Sequence, residues 1–564
     1  MTVEAYIVDE LIKYGVTDIF GIPGGVILKL LYAINDRKSV LSPHLNFHEQ
    51  MAGFAALGYA QACGKLGVAY ATRGPGITNM ITCIAEAYQE SLPVLFITAH
   101  GQRSENTMRF MYNQELNVVQ SVAGFTKYAS NIETLNDVNT EFKKACEYAL
   151  EGRKGPVLLD FASDLFGQNI IGNIDLPDNM LINRIPNDHS THAVNKIFHA
   201  LQHAQRPVIL IGDGLRECRD TAYQKILEKL GCPVLSSRAS QDLMSQSKLY
   251  YGYIGSHGLR YSNFILSKAD LVISIGNRMS FPIDSISFKP VIEHADIIRI
   301  DIDENEFAHD LPSCFNYKAD VKNFIKKLEN KAAFTKRNED WVIICNYLKK
   351  SLNSYDITEP VRKLVKLLEQ ISSEYIYVCD VGNNEFWFSR AYEKTHPKGH
   401  VLYSKSFGTL GSSLGKAIGS YYATQKNILC IVGDQGFQYN LQELQYISYW
   451  NIPIGIILLN NAASGMIFDH ERRLHSNNFI HVTPETGYSI PDFKSLAHTY
   501  KIDYVESIQD LTQKLNSQNK ITPFLYEIKY DYSISLIPNL PKGNTCQNMY
   551  PLLDHNLYDF LDQM

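Results

Sequence analysis

Residues 431–461, reading IVGDQGFQYNLQELQYISYWNIPIGIILLNN, restrict this chain to a small set of folds. An apolar run (Ile428, Leu429, Ile431, Val432) ends in Gly433-Asp434-Gln435-Gly436. A helix-like segment follows, then Pro453 and a second apolar run, Ile454 to Leu459, that ends in Asn460-Asn461. Strand, loop, helix, strand is the order of a parallel α/β unit, and ligands sit at the carboxyl ends of such strands. Asp434 and Asn461 are hard oxygen ligands of the kind that hold Mg²⁺ through a phosphate. Either loop alone reads equally well as turn residues and a buried amide. The pair, at two strand ends, points to a metal–diphosphate site.

A chain of 564 residues exceeds one core, so about two to four domains are expected. Residues 1–165 read as one α/β domain. Val3–Tyr14 has helical periodicity and ends at Gly15, and Val16–Phe20 is a strand running into Gly21-Ile22-Pro23-Gly24-Gly25, where backbone can approach a ligand. His44–Gln50 (HLNFHEQ) leads into an Ala- and Gly-rich helix over Met51–Ala62. Gly67–Thr72 is a strand, followed by Arg73-Gly74-Pro75-Gly76, a helix from Ile77 to Glu90, and a strand over Pro93–Thr98. Strands alternating with helices predict a parallel sheet covered on both faces. Glu49 has two readings. It is an acidic residue favoured at a helix N-terminus, or a buried carboxylate beside small apolar neighbours, able to exchange a proton near neutrality. Gln114 and Glu115, in the polar stretch 101–130, read as a surface loop or as a cavity lining.

Residues 166–190 are rich in Gly, Asn, Asp and Pro and read as a linker. A second α/β unit covers 190–330, with strands over Pro207–Ile211, Pro233–Ser236, Leu271–Ile275 and Ile297–Asp301. Gly212-Asp213-Gly214 lacks the full dinucleotide glycine spacing. Ser256-His257-Gly258 and Gly276-Asn277-Arg278 read either as contacts to a second cofactor or as strand-end loops of a structural domain. The charged, helical residues 331–355 read as a second linker. The third unit, 356–535, opens with a strand over Tyr375–Cys379 running into Asp380-Val381-Gly382-Asn383-Asn384. Its glycine-rich stretch Ser406–Gly419 suits packing on a cofactor or of helix on helix. A final strand covers Leu525–Lys529, and in the C-terminal tail 536–564 the stretch Ile537–Asp554 is irregular and covers a site or wraps the surface.

A net charge of −6 gives no reason to expect a nucleic-acid or anionic-membrane partner. Ten scattered cysteines without a CxxC pair argue against a disulfide framework or zinc site. The N-terminal stretch lacks the shape of a signal peptide, and no apolar run is long enough to span a bilayer. A cytoplasmic protein is expected.

These motifs together resemble the thiamine-diphosphate-dependent enzymes, and within them the acetolactate synthase group, over nearly the whole chain. The resemblance implies three doubly wound parallel-sheet domains: pyrimidine-binding, central and diphosphate-binding. It implies thiamine diphosphate and Mg²⁺ as cofactors, with Asp434, Asn461 and the Ala463 carbonyl as metal ligands. Glu49 matches the glutamate that protonates the aminopyrimidine, and Leu410 the large apolar residue beneath the thiazolium. Gly382, Asn383 and Asn384 match the diphosphate loop, Gly433 to Gly436 the metal loop, and Gly465-Met466 the pair beside the pyrimidine. Gly24 and Gly408 complete the expected cofactor set, and Glu49, Gln114 and His470 the expected catalytic set. His257, Gly258 and Arg278 are the candidate FAD contacts in the central domain. The family builds its site from two subunits, so a homodimer is the minimum and a homotetramer the larger form.

The departures from the family pattern bear on substrate. Acetolactate synthases carry RFDDR in the central domain, and its second arginine holds the acceptor's carboxylate. Here the stretch reads Arg278-Met279-Ser280-Phe281-Pro282. His470 stands where the family has a tryptophan, Asn113 where it has a phenylalanine, and Gln435 replaces the last glycine of GDG. A second 2-oxo acid has thereby lost its bidentate anchor, while Asn113, Asp469 and His470 suit a hydroxylated acceptor. The expected activity is decarboxylation of a 2-oxo acid, pyruvate first, and transfer of the acyl anion to another carbonyl, such as a nucleotide-linked keto-sugar. The alternatives are acetolactate synthesis from two 2-oxo acids, simple decarboxylation, and a non-catalytic scaffold. A scaffold is expected to lose Glu49 or the metal pair, and both are present.

Overall fold

The computed structural model describes residues 1–101, 113–170, 188–279, 288–308, 313–331, 338–355, 357–404, 406–474, 477–516 and 520–564. Three sheets of six parallel strands form its frame. The first contains β1 (Asp18–Gly21), β2 (Ser42–Leu45), β3 (Gly67–Tyr70), β4 (Val94–His100), β5 (Tyr128–Ile132) and β6 (Val157–Ala162), in the order β2-β1-β3-β4-β6-β5. The second contains β7 (Pro207–Ile211), β8 (Val234–Ser236), β9 (Tyr250–Tyr253), β10 (Leu271–Ile275), β11 (Asp296–Asp301) and β12 (Cys314–Lys318), in the order β12-β11-β10-β7-β8-β9. The third contains β13 (Tyr375–Cys379), β14 (Gly399–Leu402), β15 (Ile428–Gly433), β16 (Ile454–Asn460), β17 (Asp503–Val505) and β18 (Phe524–Lys529), in the order β14-β13-β15-β16-β18-β17. Each order reverses direction within the sheet, the doubly wound pattern that the alternation of apolar runs and helices predicts.

By chain contacts the molecule divides into two compact units. One comprises 1–183, 371–385 and 402–532, and so holds the first sheet and the strands β13, β15, β16, β17 and β18; the other comprises 184–370, 386–401 and 533–564. Within the first unit, the helix Glu49–Cys63 lies against the helix Ser413–Thr424. Small residues permit the approach. A methyl group on Gly419 would sit 1.8 Å from the Ala55 carbonyl oxygen, and one on Gly58 would sit 2.2 Å from that of Lys416. The glycine-rich stretch 406–419 therefore serves helix-on-helix packing at its carboxyl end, the second of the two readings given above.

Beside this crossing lies a buried ion pair, Lys416 with Glu86 of the helix Ile81–Glu90, whose side chains are 1% and 0% exposed. Removing one partner leaves the other charge buried and alone, which costs about 3–5 kcal/mol. Lys416→Met is expected to lower the unfolding midpoint clearly, and the double variant Lys416→Met/Glu86→Leu to recover most of the loss. Denaturant unfolding of the three proteins measures it.

Two expectations change. The helix predicted over Ile77–Glu90 is two helices, Pro75–Asn79 and Ile81–Glu90, broken at Met80. The charged stretch 331–355 is no linker where it is described: its helix Glu339–Leu352 buries Trp341, Cys345, Leu348 and Leu352 in the same apolar cluster as Val208, Leu210, Val272 and Ile297 of the second sheet. An amphipathic helix with lysines and acids on one face and this stripe on the other belongs to the core. The tail also docks on this second unit, contributing Cys546 and Leu561 to the cluster. None of the ten cysteines is joined in a disulfide. Among the described residues no helix is long and apolar enough to cross a membrane.

Candidate active site

The candidate residues fall into two groups, each at the carboxyl ends of one sheet of the first unit. In the third sheet, Gly433 at the end of β15 pairs with Leu459 of β16, so Asp434 and Asn460-Asn461 leave the sheet side by side. Asp434 is buried, its Oδ1 accepts from the Gln435 amide at 3.1 Å, and its Oδ2 has no partner at hydrogen-bond geometry among the described residues, although the Tyr488 hydroxyl and the Ala462 amide face the carboxylate and favour its anion. Burial pushes its pKa up to about 7, against the neighbouring donors that favour the anion. A buried carboxylate oxygen without a donor is the chemistry of a cation ligand. After β16 the chain turns through Ala462 at φ +52, a backbone that costs an alanine about 1–2 kcal/mol. Two side chains hold the turn: Asn460 Oδ1 accepts from the Ala462 amide at 2.9 Å, and Asn461 Oδ1 from the Ala463 amide at 3.3 Å.

Glycine contacts show what converges there. A methyl group on Gly465 would meet Asn461 Nδ2 at 2.5 Å and Asn383 Nδ2 at 3.4 Å, so the two amides flank the start of the helix Gly465–Leu474. Asn383 is buried with an unpartnered Oδ1. Asn384 Nδ2 donates to the Asp380 carbonyl at 2.7 Å, and its Oδ1 would meet a methyl group on Gly382 at 2.7 Å. Gly436 opens towards Leu410 Cδ1, 3.2 Å from a methyl group placed there, and Leu410 is half-buried. Gly408 takes φ +72. Gln435 and Met466 are half-buried, Ala463 is buried.

Asp380 is the residue that motif reading undervalued. It is fully buried; Oδ1 accepts from the Gly411 amide at 2.8 Å and Oδ2 from the Ser413 amide at 3.0 Å. A methyl group on Gly436 would also lie 2.7 Å from Oδ1. One carboxylate thus ties together the loops after β13, before the Ser413 helix and after β15. Burial raises its pKa, and the two amides oppose the rise. The signal in the sequence was an acid directly after an apolar strand.

The second group lies on the first sheet. Glu49 begins its helix, is half-buried where full burial was one expectation, and accepts from Asn79 Nδ2 at 3.0 Å. Asn79 closes the short helix Pro75–Asn79, so the break at Met80 serves this contact. A methyl group on Gly76 would sit 3.5 Å from Glu49 Oε1, and one on Gly24 would strike Thr72 Cβ at 2.3 Å, so both glycines permit close loop packing. Gln114 is exposed at φ +66, and its carbonyl lies 2.5 Å from a methyl group built on Gly74. Beside it Glu115 is anchored, accepting from Arg73 Nη1 at 2.8 Å and the Gly101 amide at 2.7 Å. Asn113 is exposed.

Among the described residues, no hydrogen bond or ion pair joins Glu49 to Asp434 or Asn461. His470 is exposed on the helix Gly465–Leu474, whereas Asp469 is buried and meets Arg472 Nη2 at 2.7 Å. Ser280, Phe281 and Pro282 lie outside the described residues. In the second unit, His257 packs on the Phe386 ring with centroids 4.6 Å apart, and Arg278 Nε lies 3.3 Å from Glu306 Oε1. A methyl group on Gly258 would strike the Ile254 backbone at 2.6 Å. Gly214 donates its amide to the Gly276 carbonyl at 3.0 Å, which closes the Gly212-Asp213-Gly214 loop against its neighbour.

Three family models match successive parts of the chain. Residues 1–121 match the thiamine pyrophosphate enzyme N-terminal TPP binding domain, 194–328 the central domain, and 380–523 the C-terminal TPP binding domain. The chain is 32% identical over 565 residues to the probable acetolactate synthase large subunit of Methanococcus aeolicus, covering 94% of this chain and 92% of that protein. It is 29% identical to the acetolactate synthase isozyme 2 large subunit of Escherichia coli K12, over 96% of this chain and 98% of that one. It is 28% identical to the chloroplastic acetolactate synthase 1 of Oryza sativa subsp. japonica, over 96% and 87%. With two TPP binding domains flanking a central one, and relatives matched over 87% to 98% of their length, the chain belongs to the thiamine pyrophosphate enzymes, as an enzyme of the acetolactate synthase type.

Proposed function

We propose that this enzyme is a carboligase that decarboxylates a 2-oxo acid, pyruvate first, and transfers the acyl anion to a carbonyl that carries no free carboxylate, with a nucleotide-linked keto-sugar as the fitting class. The observation that carries the reaction half is Asp434: a buried carboxylate whose Oδ2 has no partner at hydrogen-bond geometry among the described residues, set beside Asn461 at the ends of adjacent strands. Mg²⁺ fits it. Asp434, Asn461 and the Ala463 carbonyl would hold the ion, and phosphate oxygens of the cofactor would supply further ligands. Asn383, with its unpartnered buried oxygen, and Gly382 would line the same diphosphate.

Bound thiamine diphosphate supplies an electron sink for the carbon that loses carbon dioxide. Glu49 would hold and return a proton at the aminopyrimidine, at a helix N-terminus that favours its charge. Leu410 would press on the cofactor from the Gly436 side. Gln114 and His470 would face the acceptor. Exposed Leu45 and Phe47 flank Glu49, at 46% and 48% exposure. Such apolar surface beside a proton donor fits a site covered by a second copy, so the active form we propose is at least a homodimer. FAD is the further cofactor this reading admits, with His257, Gly258 and Arg278 of the second unit to hold it; a purified protein that is yellow and releases flavin on denaturation supports it, and a colourless one that releases none sinks it.

The acceptor half rests on Pro282, which stands where the acetolactate synthases have the arginine that holds a second carboxylate, and on Asp469, a buried acid just beyond the Gly465-Met466 pair. Acetolactate synthesis itself is the second reading. The full-length likeness to proteins named acetolactate synthases favours it, as does Arg472, whose guanidinium sits on the same helix and provides a positive charge. Product analysis separates the two. Purified enzyme with thiamine diphosphate, Mg²⁺ and pyruvate is expected to make little acetolactate alone and a branched adduct once a nucleotide-linked keto-sugar is added. Rapid acetolactate formation without added acceptor would defeat the first reading.

A further inference from the structure

Two residues separate β2 from Glu49's neighbour His48: Asn46 and Phe47. The last ladder bond of this edge runs from the Asn46 amide to the Gly21 carbonyl at 3.3 Å. The next amide, that of Phe47, has no strand to bond. It donates instead to Glu443 Oε1 at 2.8 Å, while Asn46 Nδ2 donates to Glu443 Oε2 at 3.1 Å. Glu443 is 0% exposed and Asn46 1%, so neither can exchange these bonds for water.

Glu443 begins the helix Glu443–Tyr449, in the connection that starts at Asp434 after β15 and leads into β16, at whose carboxyl end Asn461 follows. Three residues on, and so on the same helix face, Tyr446 makes a second anchor. Its hydroxyl lies 3.0 Å from His44 Nδ1, His44 Nε2 lies 2.7 Å from Asp18 Oδ1, and the His44 ring stacks on Tyr422 with centroids 3.7 Å apart. One helix face therefore grips β2 at His44 and the following loop at Asn46 and Phe47.

We propose that Glu443 is a positioning residue for Glu49: its buried carboxylate fixes the Asn46–His48 segment, and through it the place from which Glu49 reaches the cofactor. The inference rests on the reading of Glu49 given above. A carboxylate in an apolar interior is a poor choice for stability alone, since well-packed apolar side chains do as well or better. It is a good choice where a backbone amide needs an acceptor two residues from a group that must be held to about 0.5 Å. Burial pushes the Glu443 pKa up to about 7, with Asn46 and the Phe47 and His48 amides opposing. The neutral form also finds a partner, because Asn46 Oδ1 has none among the described residues.

The test compares Glu443→Ala, Glu443→Asp and Glu443→Gln. Alanine removes both acceptors, and aspartate keeps the charge but is one methylene too short. Glutamine keeps an acceptor for Phe47 and offers its amide to Asn46 Oδ1. In protein free of cofactor, amide exchange at residues 46–50 is expected to quicken about tenfold in the alanine and aspartate variants, the opening that follows loss of one hydrogen bond, and to stay near wild type with glutamine. With cofactor and substrate, kcat is expected to fall about 100-fold in the first two, with substrate KM little changed and glutamine restoring most activity. Unchanged exchange at 46–50 in both short variants overturns the proposal, as does loss of activity in Glu443→Gln equal to that in Glu443→Ala. If Glu49→Gln keeps full turnover, the reading of Glu49 fails by itself, and the exchange data still decide whether Glu443 holds the loop. On a Glu49→Gln background that is slowed, Glu443→Ala is expected to cost no further turnover, and a further 100-fold loss would contradict action through Glu49.

Discussion

Glu49→Gln is expected to slow turnover about 10²–10⁴-fold, the usual worth of a positioned proton-transfer group, while the protein keeps its fold and its affinity for Mg²⁺. The substitution is nearly isosteric, and Asn79 Nδ2 can still donate to the amide oxygen, so the contact that seats the side chain survives. What is lost is the capacity to hold and return a proton. Because Glu49 contacts neither Asp434 nor Asn461 among the described residues, metal and diphosphate binding are expected to remain. Steady-state rates with isothermal titration of Mg²⁺ and thiamine diphosphate measure both arms. Full activity in this variant would remove Glu49 from the reaction.

Asp434→Asn is expected to have the opposite profile: Mg²⁺-dependent cofactor binding falls by at least about 100-fold, since disturbing even a ligand's supporting hydrogen bonds costs 10–100-fold. It carries a second signature. Asp434 has its folded pKa raised by burial to about 7, so between its ordinary value near 4 and pH 7 the folded, empty protein binds a proton that the unfolded chain does not. The sign follows: the stability of the empty protein attributable to this group is complete below about pH 4 and is lost as pH rises through 7. Removing the charge is therefore expected to raise the unfolding midpoint of cofactor-free protein at pH 8 and to change it little at pH 5, although the variant is inactive at both. Equal midpoints at pH 8 would mean the carboxylate is better solvated than its surroundings indicate.

Much of the fold was legible because parallel strands buried on both faces leave continuous apolar runs, and β15 and β16 are such runs. The Asp434 and Asn461 positions were legible for the same reason, as polar residues immediately beyond those runs. Glu49 was legible as a helix start but not in its burial, which depends on neighbours distant in sequence. Asp380 and Glu443 were the costly omissions. Each bonds to backbone amides that are 31 to 33 and 396 residues away, and no local pattern marks an acid as the acceptor for so distant an amide. The stretch 406–419 shows the converse. Gly408, with open space beside it, and Gly419, pressed on the Ala55 carbonyl, look alike in the sequence and do different work in the fold. The helix Glu339–Leu352 was misread because its charged face dominates its composition, while four residues at helical spacing carry its packing.

In the proposed reaction this chain makes an acyl anion from a 2-oxo acid and joins it to a carbonyl. Its most direct test is carbon NMR of [2-¹³C]pyruvate incubated with the purified enzyme, thiamine diphosphate, Mg²⁺ and a nucleotide-linked keto-sugar. The predicted result is label in a new carbon–carbon bond to the acceptor, with carbon dioxide released in equal amount, and no reaction when either cofactor is withheld. Label that stays in pyruvate, or that accumulates wholly as acetaldehyde, would contradict it.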